Sequence, residues 1–379
     1  MIYFDYNATT PCDPAVVEAM LPYFSGKFGN AASKTHAYGW IADEGVEQAR
    51  KQLALLLQAE PQEIVFTSGA TEGCNLALKG TYEMYGTKGR HIIAVATEHK
   101  AVLDTCRQLQ RRGAEVTYLA VDNQGLVDME ALAAAIRPDT FLIAVMYANN
   151  ETGVLQPIAE IGRLAKQHGV LFFTDATQAA GKLPLDVNRD QVDILALSAH
   201  KFYGPKGVGA LYVRRRDPRV RLLAQMDGGG HERGFRSGTL NVPGIVGLGK
   251  AAALAMESMD TEEKRLRGMR DHLERSLLRL EGAMVNGNPE RRMGHVTNLS
   301  FAGIKAERLI AALNSRIAFS VGSACTSASR EPSHVLEAMA LGEERIKGSI
   351  RLSLGKFTTE AETDQAIAWI AEAVKREKA

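Results

Sequence analysis

A lysine follows a short apolar segment in the middle of the chain. Lys201 comes after DILALS (193–198), separated from it by Ala199 and His200. Lysine is seldom deeply buried, and a lysine whose pKa is lowered by its surroundings can attack an aldehyde as a free amine. The position predicts a Schiff-base lysine, with Ser198 and His200 as candidate phosphate ligands. The alternative is a lysine whose side chain reaches back to the surface.

An acid and an amide follow a second apolar segment. VLFFTD (170–175) ends in Asp175, and Gln178 comes three positions later. An acid at this place often caps the next helix. A pyridinium nitrogen, however, needs a carboxylate partner if it is to stay protonated and accept electrons. Asp175 is therefore a candidate partner for a ring nitrogen.

Small residues after EIVFT (63–67) suit an anion. Ser68, Gly69, Ala70 and Thr71 stand where a helix is predicted to begin. Backbone N–H groups and the helix dipole favour negative charge there. The pattern indicates a phosphate site or, as an equally ordinary interpretation, a simple helix cap.

Two more apolar segments end in residues that could contact a planar cofactor. HIIAVAT (91–97) is followed by Glu98 and His99, and TFLIAVM (140–146) is followed by YANNETG, which contains Asn150. A histidine ring could stack on the cofactor, although a lone histidine is more often structural. The asparagine amide could contact a cofactor hydroxyl or a substrate.

All these residues come at the ends of predicted strands. Short segments rich in β-branched or aromatic residues predict buried strands at 63–67, 91–96, 115–120, 140–146, 170–175, 193–198 and 209–213. Helical spacing between most of them, at 71–85, 100–112, 128–136 and 157–168, predicts an α/β fold with a mainly parallel seven-stranded sheet. Ligands bind beyond the carboxyl ends of parallel strands, so the cradle, carboxylate, lysine, histidine and amide should share one site.

The pattern changes after about residue 240. A long helical stretch leads to VTNLSF (296–301), GSIRLSL (348–354) and predicted helices near 306–314, near 332–340 and from about 360. These segments predict a smaller α+β domain.

Charge and cysteine spacing limit the classes of protein. There are 45 basic and 44 acidic side chains, a net charge of +1, which argues against direct binding of nucleic acid or of a membrane surface. The apolar runs are shorter than the ~18 residues of a membrane helix, and the N-terminus lacks the basic region of a signal peptide. The four cysteines form no metal-like spacing, so we expect free thiols, no metal site and an intracellular protein.

One cysteine lies in a segment of small polar residues. SVGSACTSASREPSH (320–334) predicts a mobile loop and places Cys325 within it. Since this segment offers little to bury a thiol against, we interpret Cys325 as an exposed nucleophile. The alternatives are an incidental thiol or a buried small side chain. Cys12, Cys74 and Cys106 suit the role less well.

Nine motifs together resemble one family of enzymes. They are DYNATTP (5–11), FGNAAS (28–33), SGATE (68–72), TEHKAVLDTC (97–106), NNETG (149–153), DATQ (175–178), SAHKFYGPKG (198–207), GGGHERGFRSGT (228–239) and GSACTSAS (322–329). Their order over nearly the whole chain is similar to that of the cysteine desulfurases of the NifS and IscS type, a branch of the class V aminotransferase-like enzymes. The chain departs from the family at TEGCN (71–75), where TESDN is usual. It also ends at Ala379, whereas the family's scaffold-docking members continue with an extra tail.

The resemblance implies fold type I of the enzymes that use pyridoxal 5'-phosphate (PLP). It implies a large PLP-binding domain at 12–255 and a small domain made of 1–11 and 256–379, which carries the Cys325 loop. It also implies a homodimer with active sites at the interface.

The resemblance also implies roles for individual residues. Lys201 would hold PLP as a Schiff base, Asp175 would pair with the ring nitrogen, and His99 would stack on the ring as a catalytic residue. The remaining roles are the ring hydroxyl for Gln178, the ring and substrate for Asn150, the phosphate for Ala70, Thr71, Ser198 and His200, the partner subunit's phosphate for Thr239, and the substrate carboxylate for Arg351.

The implied activity is the conversion of L-cysteine to L-alanine in the cytoplasm. Sulfur would leave as a persulfide on Cys325, bound for iron–sulfur cluster assembly or tRNA thiolation, although the chain's end at Ala379 makes delivery to a scaffold the weaker expectation. The alternatives are a selenocysteine lyase, another PLP enzyme such as an aminotransferase, and a sulfur-delivery platform. For the last, the arginines of VRRRDPRVR (213–221) could dock acidic partners, although such a cluster is more often a solvated turn.

Overall fold

The computed structural model describes residues 1–321 and 332–378, with elements numbered along the chain from β1 (Ile2–Tyr3). A seven-stranded sheet lies at the centre, in the order β2-β8-β7-β6-β5-β3-β4. Its strands are β2 (Ile64–Thr67), β3 (His91–Val95), β4 (Glu115–Leu119), β5 (Thr140–Ala144), β6 (Leu171–Asp175), β7 (Ile194–Ser198) and β8 (Gly209–Val213). Strand β8 runs antiparallel to its neighbours, while β4, β3, β5, β6 and β7 are parallel. The predicted α/β fold with a mainly parallel sheet is confirmed.

Helices cover both faces of this sheet. They are α1 (Pro14–Met20), α2 (Ala37–Leu57), α3 (Ala70–Tyr85), α4 (Lys100–Arg111), α5 (Met129–Ala135) and α6 (Ile158–Gln167). The side chains of β5 alternate between two cores: Ile143 packs in one, and Leu142 and Ala144 pack in the other. Burial on both faces explains why the strands are continuous apolar runs instead of alternating ones.

The 36-residue helix α7 (Val242–Leu277) links the large sheet to a smaller one. The smaller sheet is antiparallel, in the order β12-β10-β9. The remaining elements are β9 (Ala283–Val285), β10 (Val296–Phe301), α8 (Ala306–Leu313), β11 (Ile317–Ala318), α9 (His334–Ala338), α10 (Glu343–Lys347), β12 (Ser349–Ser353) and α11 (Glu360–Lys378). Leu273, Leu299, Phe301 and Ile370 form a separate hydrophobic core there.

The first ten residues join the two sheets. Strand β1 pairs with β11, and the Ser353 N–H donates to the Phe4 carbonyl at 2.9 Å. Farther on, the Thr10 N–H donates to the His200 carbonyl at 2.9 Å. The N-terminal segment therefore crosses the carboxyl end of β7, where the catalytic lysine was predicted. Among the described residues, no helix combines the length and apolar character needed to cross a membrane.

Candidate active site

Lys201 lies in a single helical turn that follows β7. The turn is closed by the Phe202 N–H donating to the Ala199 carbonyl at 3.1 Å, and both of these residues are buried. The Lys201 amine donates to the carbonyls of Asn7 at 2.6 Å and Ala8 at 2.8 Å. The sheet thus places the lysine, and the N-terminal segment holds its amine.

Asp175 is the last residue of β6, the strand next to β7. Its Oδ1 accepts the Thr177 N–H at 3.0 Å and the Thr177 hydroxyl. Its Oδ2 lies 3.8 Å from the Cys74 thiol. These contacts fix the carboxylate in the buried wall of the site.

The predicted phosphate cradle is the start of α3. Its N-cap is Gly69, which has no side chain to satisfy the first N–H groups of a 16-residue helix, and such groups attract anions. Glu72 accepts the Ser68 N–H at 2.8 Å and pairs with Arg236 at 2.8 Å. A Cβ at Gly209 would lie 2.7 Å from the Gly69 Cα, so only a glycine lets β8 pass this close to the cradle.

One cavity of about 510 Å³ brings most of the predicted residues together. Those that line it are Ala70, Thr71, His99, Asn150, Asp175, Gln178, Ser198, His200, Lys201 and Arg351. Thr239 is exposed and lies outside the lining. Cys325 lies outside the described residues. The structure therefore groups these side chains, while their roles stay predictions.

Two histidines of the cavity can be assigned a protonation form. His99 caps α4, and its Nδ1 accepts the Ala101 N–H at 3.1 Å, so the neutral ring carries its proton on Nε2. His200 lies 3.0 Å from the Thr9 hydroxyl. Burial, together with the nearby charges of Lys201 and Lys206, lowers the pKa of His200 to about 4. Both rings can therefore act as neutral hydrogen-bonding groups.

Arg351 enters the cavity from the smaller sheet. It is 1% exposed; its Nη2 donates to Asp5 Oδ1 at 2.6 Å and its Nη1 to the Asn150 carbonyl at 2.8 Å. Within residues 1–321 and 332–378, no acceptor reaches its buried Nε. A fixed guanidinium with a donor to spare suits a carboxylate ligand.

Sequence reasoning missed a group of polar residues behind the cavity. Asn7 is 2% exposed and accepts the amines of Lys201 and Gln178 on its backbone carbonyl, the latter at 3.0 Å. Its side chain contacts His295 Nε2 at 2.7 Å, and His295 in turn lies 3.3 Å from the Lys182 amine. The DYNATTP motif pointed to Asn7 only through the resemblance. No local pattern marks His295, because its contacts come from residues far away in sequence.

Glu98 is the second residue that the sequence did not mark. It is fully buried; its Oε1 accepts the Met146 N–H at 2.5 Å, and no donor among the described residues reaches its Oε2. Burial, with the nearby charge of Asp175 as a smaller cause, raises the pKa of Glu98 well above its usual range. Glu98 is therefore a neutral acid at neutral pH.

The residues present fit PLP. A helix start without a side-chain cap suits the phosphate, a buried carboxylate suits a protonated ring nitrogen, and a lysine at the strand end suits the aldehyde. The unpartnered Nε of Arg351 adds a position for an amino-acid carboxylate. Together these features form a site for an amino acid bound to a carbonyl cofactor.

Comparisons with known proteins agree with this assignment. The model of the family described as aminotransferase class V matches residues 2–366. The "Cysteine desulfurase IscS" of Anaeromyxobacter dehalogenans (strain 2CP-C) is 56% identical over 376 residues, which cover 99% of this chain and 93% of the relative. A solved "NIFS-LIKE PROTEIN" superposes with a TM-score of 0.92 at 38% identity and 99% coverage of both chains. A second solved structure, "SspA in complex with cysteine", gives a TM-score of 0.83 at 37% identity, covering 95% of this chain and all of that one.

Proposed function

Because this chain belongs to the class V aminotransferase family and, within it, to the cysteine desulfurases of the IscS type, we propose that it converts L-cysteine to L-alanine and carries the sulfur as a persulfide on Cys325. The enzymes of this family depend on PLP. The observation that supports the proposal most directly is that Lys201, Asp175 and Arg351, from three different strand ends, line one cavity. The cysteine in complex with the similar SspA protein supports the choice of substrate.

Each group of the site has a defined task in this reaction. PLP, when bound, supplies an electron sink for the charge that develops on the substrate Cα. Lys201 would hold it covalently and move the Cα proton, Asp175 would hydrogen-bond the ring nitrogen, and the start of α3 would hold the phosphate. Arg351 would bind the substrate carboxylate through its Nε. His99, Gln178 and Asn150 would complete the walls of the site.

The sulfur step needs a thiolate. The Cys325 thiolate would attack the substrate sulfur, forming a sulfur–sulfur bond while the carbon–sulfur bond breaks and its electron pair passes to Cβ, which takes up a proton to give alanine. The three described cysteines are poor candidates, because burial raises the pKa of each: slightly for Cys12, to about 12 for Cys106 and well above the usual range for Cys74.

The variant that tests this assignment is Cys325→Ser. We expect it to bind cysteine and to release no alanine, and mass spectrometry of the protein should show no added sulfur. Cys12→Ser, which removes another partly exposed thiol outside the cavity, is the matched control and should retain full turnover. Sulfur found on Cys74, or normal alanine release by Cys325→Ser, would overturn the nucleophile. Lys201→Ala should abolish the covalent link to PLP.

We also propose that the chain acts as a homodimer. Large apolar side chains are exposed along residues 17–41, including Phe24 at 65%, Phe28 at 64% and Trp40 at 56%. Contiguous apolar exposure of this kind is typical of an interface. A dimer would also give the exposed Thr239 a place in the partner's phosphate site.

The division into domains and the delivery of sulfur remain proposals. Separate hydrophobic cores around the two sheets support a large domain at 12–255 and a small domain of 1–11 with 256–379. We propose acceptor proteins of iron–sulfur assembly or tRNA thiolation, and a cytoplasmic location. Within the proposed basic docking segment, Arg214 donates to the carbonyls of Val187 and Val192. A docking role would therefore rest on Arg215, Arg216, Arg219 and Arg221.

A further inference from the structure

A second lysine lies next to the active site and has no role in the proposed mechanism. Lys182 follows Gln178 by one helical turn and lines a separate cavity of about 60 Å³. Gly181, at a φ of +69°, brings the chain so close to Phe202 that a Cβ would lie 2.7 Å from the Phe202 Cβ. This turn holds the Lys182 amine 3.4 Å from Gln178 Oε1 and 3.3 Å from His295 Nε2.

The hydrogen bonds of Asn7 fix the form of His295. The Asn7 amide nitrogen donates to the Asn150 carbonyl at 3.1 Å, so its side-chain oxygen must face His295. That oxygen only accepts, and His295 Nε2, at 2.7 Å, must therefore carry a hydrogen. Nε2 is then no acceptor for Lys182.

An ammonium at Lys182 would be badly served. Gln178 donates its amide nitrogen to the Asn7 carbonyl and so offers Oε1 to Lys182, at a long 3.4 Å. Among the described residues this is the acceptor that the three donors of an ammonium would find. A buried charge without partners is costly, whereas a neutral amine loses little here.

The charges around Lys182 act in the same direction. Lys201 and Arg351 are both close enough to disfavour a further positive charge, and His295 is held neutral because burial lowers its pKa well below the usual range. The same small cavity is lined by Tyr203 and three carboxylates. Each carboxylate is already paired: Asp13 with Lys356, Glu262 with Arg265 and Glu263 with Arg267.

We propose that Lys182 and Lys201 hold a single proton between them, and that Lys182 is the neutral member, a positioning residue that leaves the charge on Lys201. The backbone carbonyls of Asn7 and Ala8 stabilise the charge on Lys201. Burial, followed by the charges of Lys201 and Arg351, lowers the pKa of Lys182 to about 7. The role given to Lys201 rests on the proposed function, but the neutrality of Lys182 does not.

Two substitutions separate the alternatives. Lys182→Met keeps a neutral chain of similar length at every pH, and Lys182→Arg fixes a positive charge. The pH midpoint of the visible absorbance of the PLP-loaded enzyme reports the proton at Lys201. We expect Lys182→Met to stay near the wild type and Lys182→Arg to lower the midpoint by about one pH unit, because like charges repel. Lys356→Met, in the same small cavity, is the control and should leave the midpoint unchanged.

The opposite pattern would overturn the proposal. If Lys182 carries a charge, Lys182→Met raises the midpoint and Lys182→Arg is silent; if both are silent, the two lysines are uncoupled. Melting temperatures of all three variants identify any that is misfolded.

A second measurement needs neither PLP nor turnover. Trace acetylation of the PLP-free protein across pH, read by mass spectrometry, should show the reactivity of Lys182 rising with a midpoint near pH 7. The urea-unfolded chain should lack this early rise. Reactivity that rises in the folded protein only where it does in the unfolded chain would refute the neutral amine, whatever the enzyme does with cysteine.

Discussion

Two buried polar clusters flank the active-site cavity, and they differ in sign. The acidic cluster comprises Asp175, Glu98 and Cys74, and the basic cluster comprises Arg351, Lys182 and His295. In each, one group has full hydrogen-bond partners: Asp175 accepts from Thr177 and Cys74, and Arg351 donates to Asp5 and Asn150. In each, another group lacks them and is neutral, Glu98 in one and Lys182 in the other.

The comparison shows that local partners, and not burial alone, decide which groups keep their charge. Burial disfavours every charge in both clusters. A carboxylate or guanidinium with several matched contacts keeps its charge, and the neighbour without them gives its charge up. The site thus has one fixed charge of each sign, backed by neutral groups that do not compete with it. Removing or adding one partner should therefore break the pattern in a predictable order of size.

The largest effect is expected where a buried charge loses its partner. Asp5→Ala leaves the 1%-exposed Arg351 without its carboxylate, which we expect to lower the free energy of unfolding by about 3 kcal/mol. Urea unfolding measures it. The surface pair Arg308–Glu377 gives the control, since Glu377→Ala should cost less than about 1 kcal/mol. Equal losses would mean that Asp5 does not hold the Arg351 charge.

The next effect depends on pH. The pKa of Glu98 is raised in the folded state, so the unfolded chain releases this proton first as pH rises. The stability associated with Glu98 is therefore complete below about pH 4.5 and falls as pH rises, by about 1.4 kcal/mol per pH unit until the folded pKa is passed. Glu98→Gln keeps the acceptor for the Met146 N–H and removes this loss. The variant should gain stability relative to the wild type between pH 5 and pH 8.

An exposed glutamate separates this effect from a general change of charge. Glu257 lies on the open side of α7, and Glu257→Gln should show no such gain. A stability difference between Glu98→Gln and the wild type that stays constant from pH 5 to pH 8 would show that Glu98 is ionised in the folded protein.

The two clusters were not equally predictable from the sequence. Asp175 and Lys201 follow apolar strands directly, so strand periodicity and the geometry of parallel sheets place them together. The seven strands and the helices between them were predicted for the same reason. Lys182, His295 and Asp5 depend on the crossing of the N-terminal segment and on the smaller sheet, which bring together residues up to 346 positions apart. No local pattern records such contacts.

The smallest effect tests the one thiol in the acidic cluster. Cys74 and Cys106 are both fully buried, but only the Cys74 thiol lies near Asp175, at 3.8 Å. Cys74→Ala and Cys106→Ala should each cost on the order of 1 kcal/mol of stability through lost packing. Cys74→Ala alone should also change PLP affinity, by about two- to five-fold, because a weak hydrogen bond to the ring partner is lost. An equal change in Cys106→Ala would mean that PLP affinity responds to packing behind the sheet, and the acidic cluster would then consist of Asp175 and Glu98 alone.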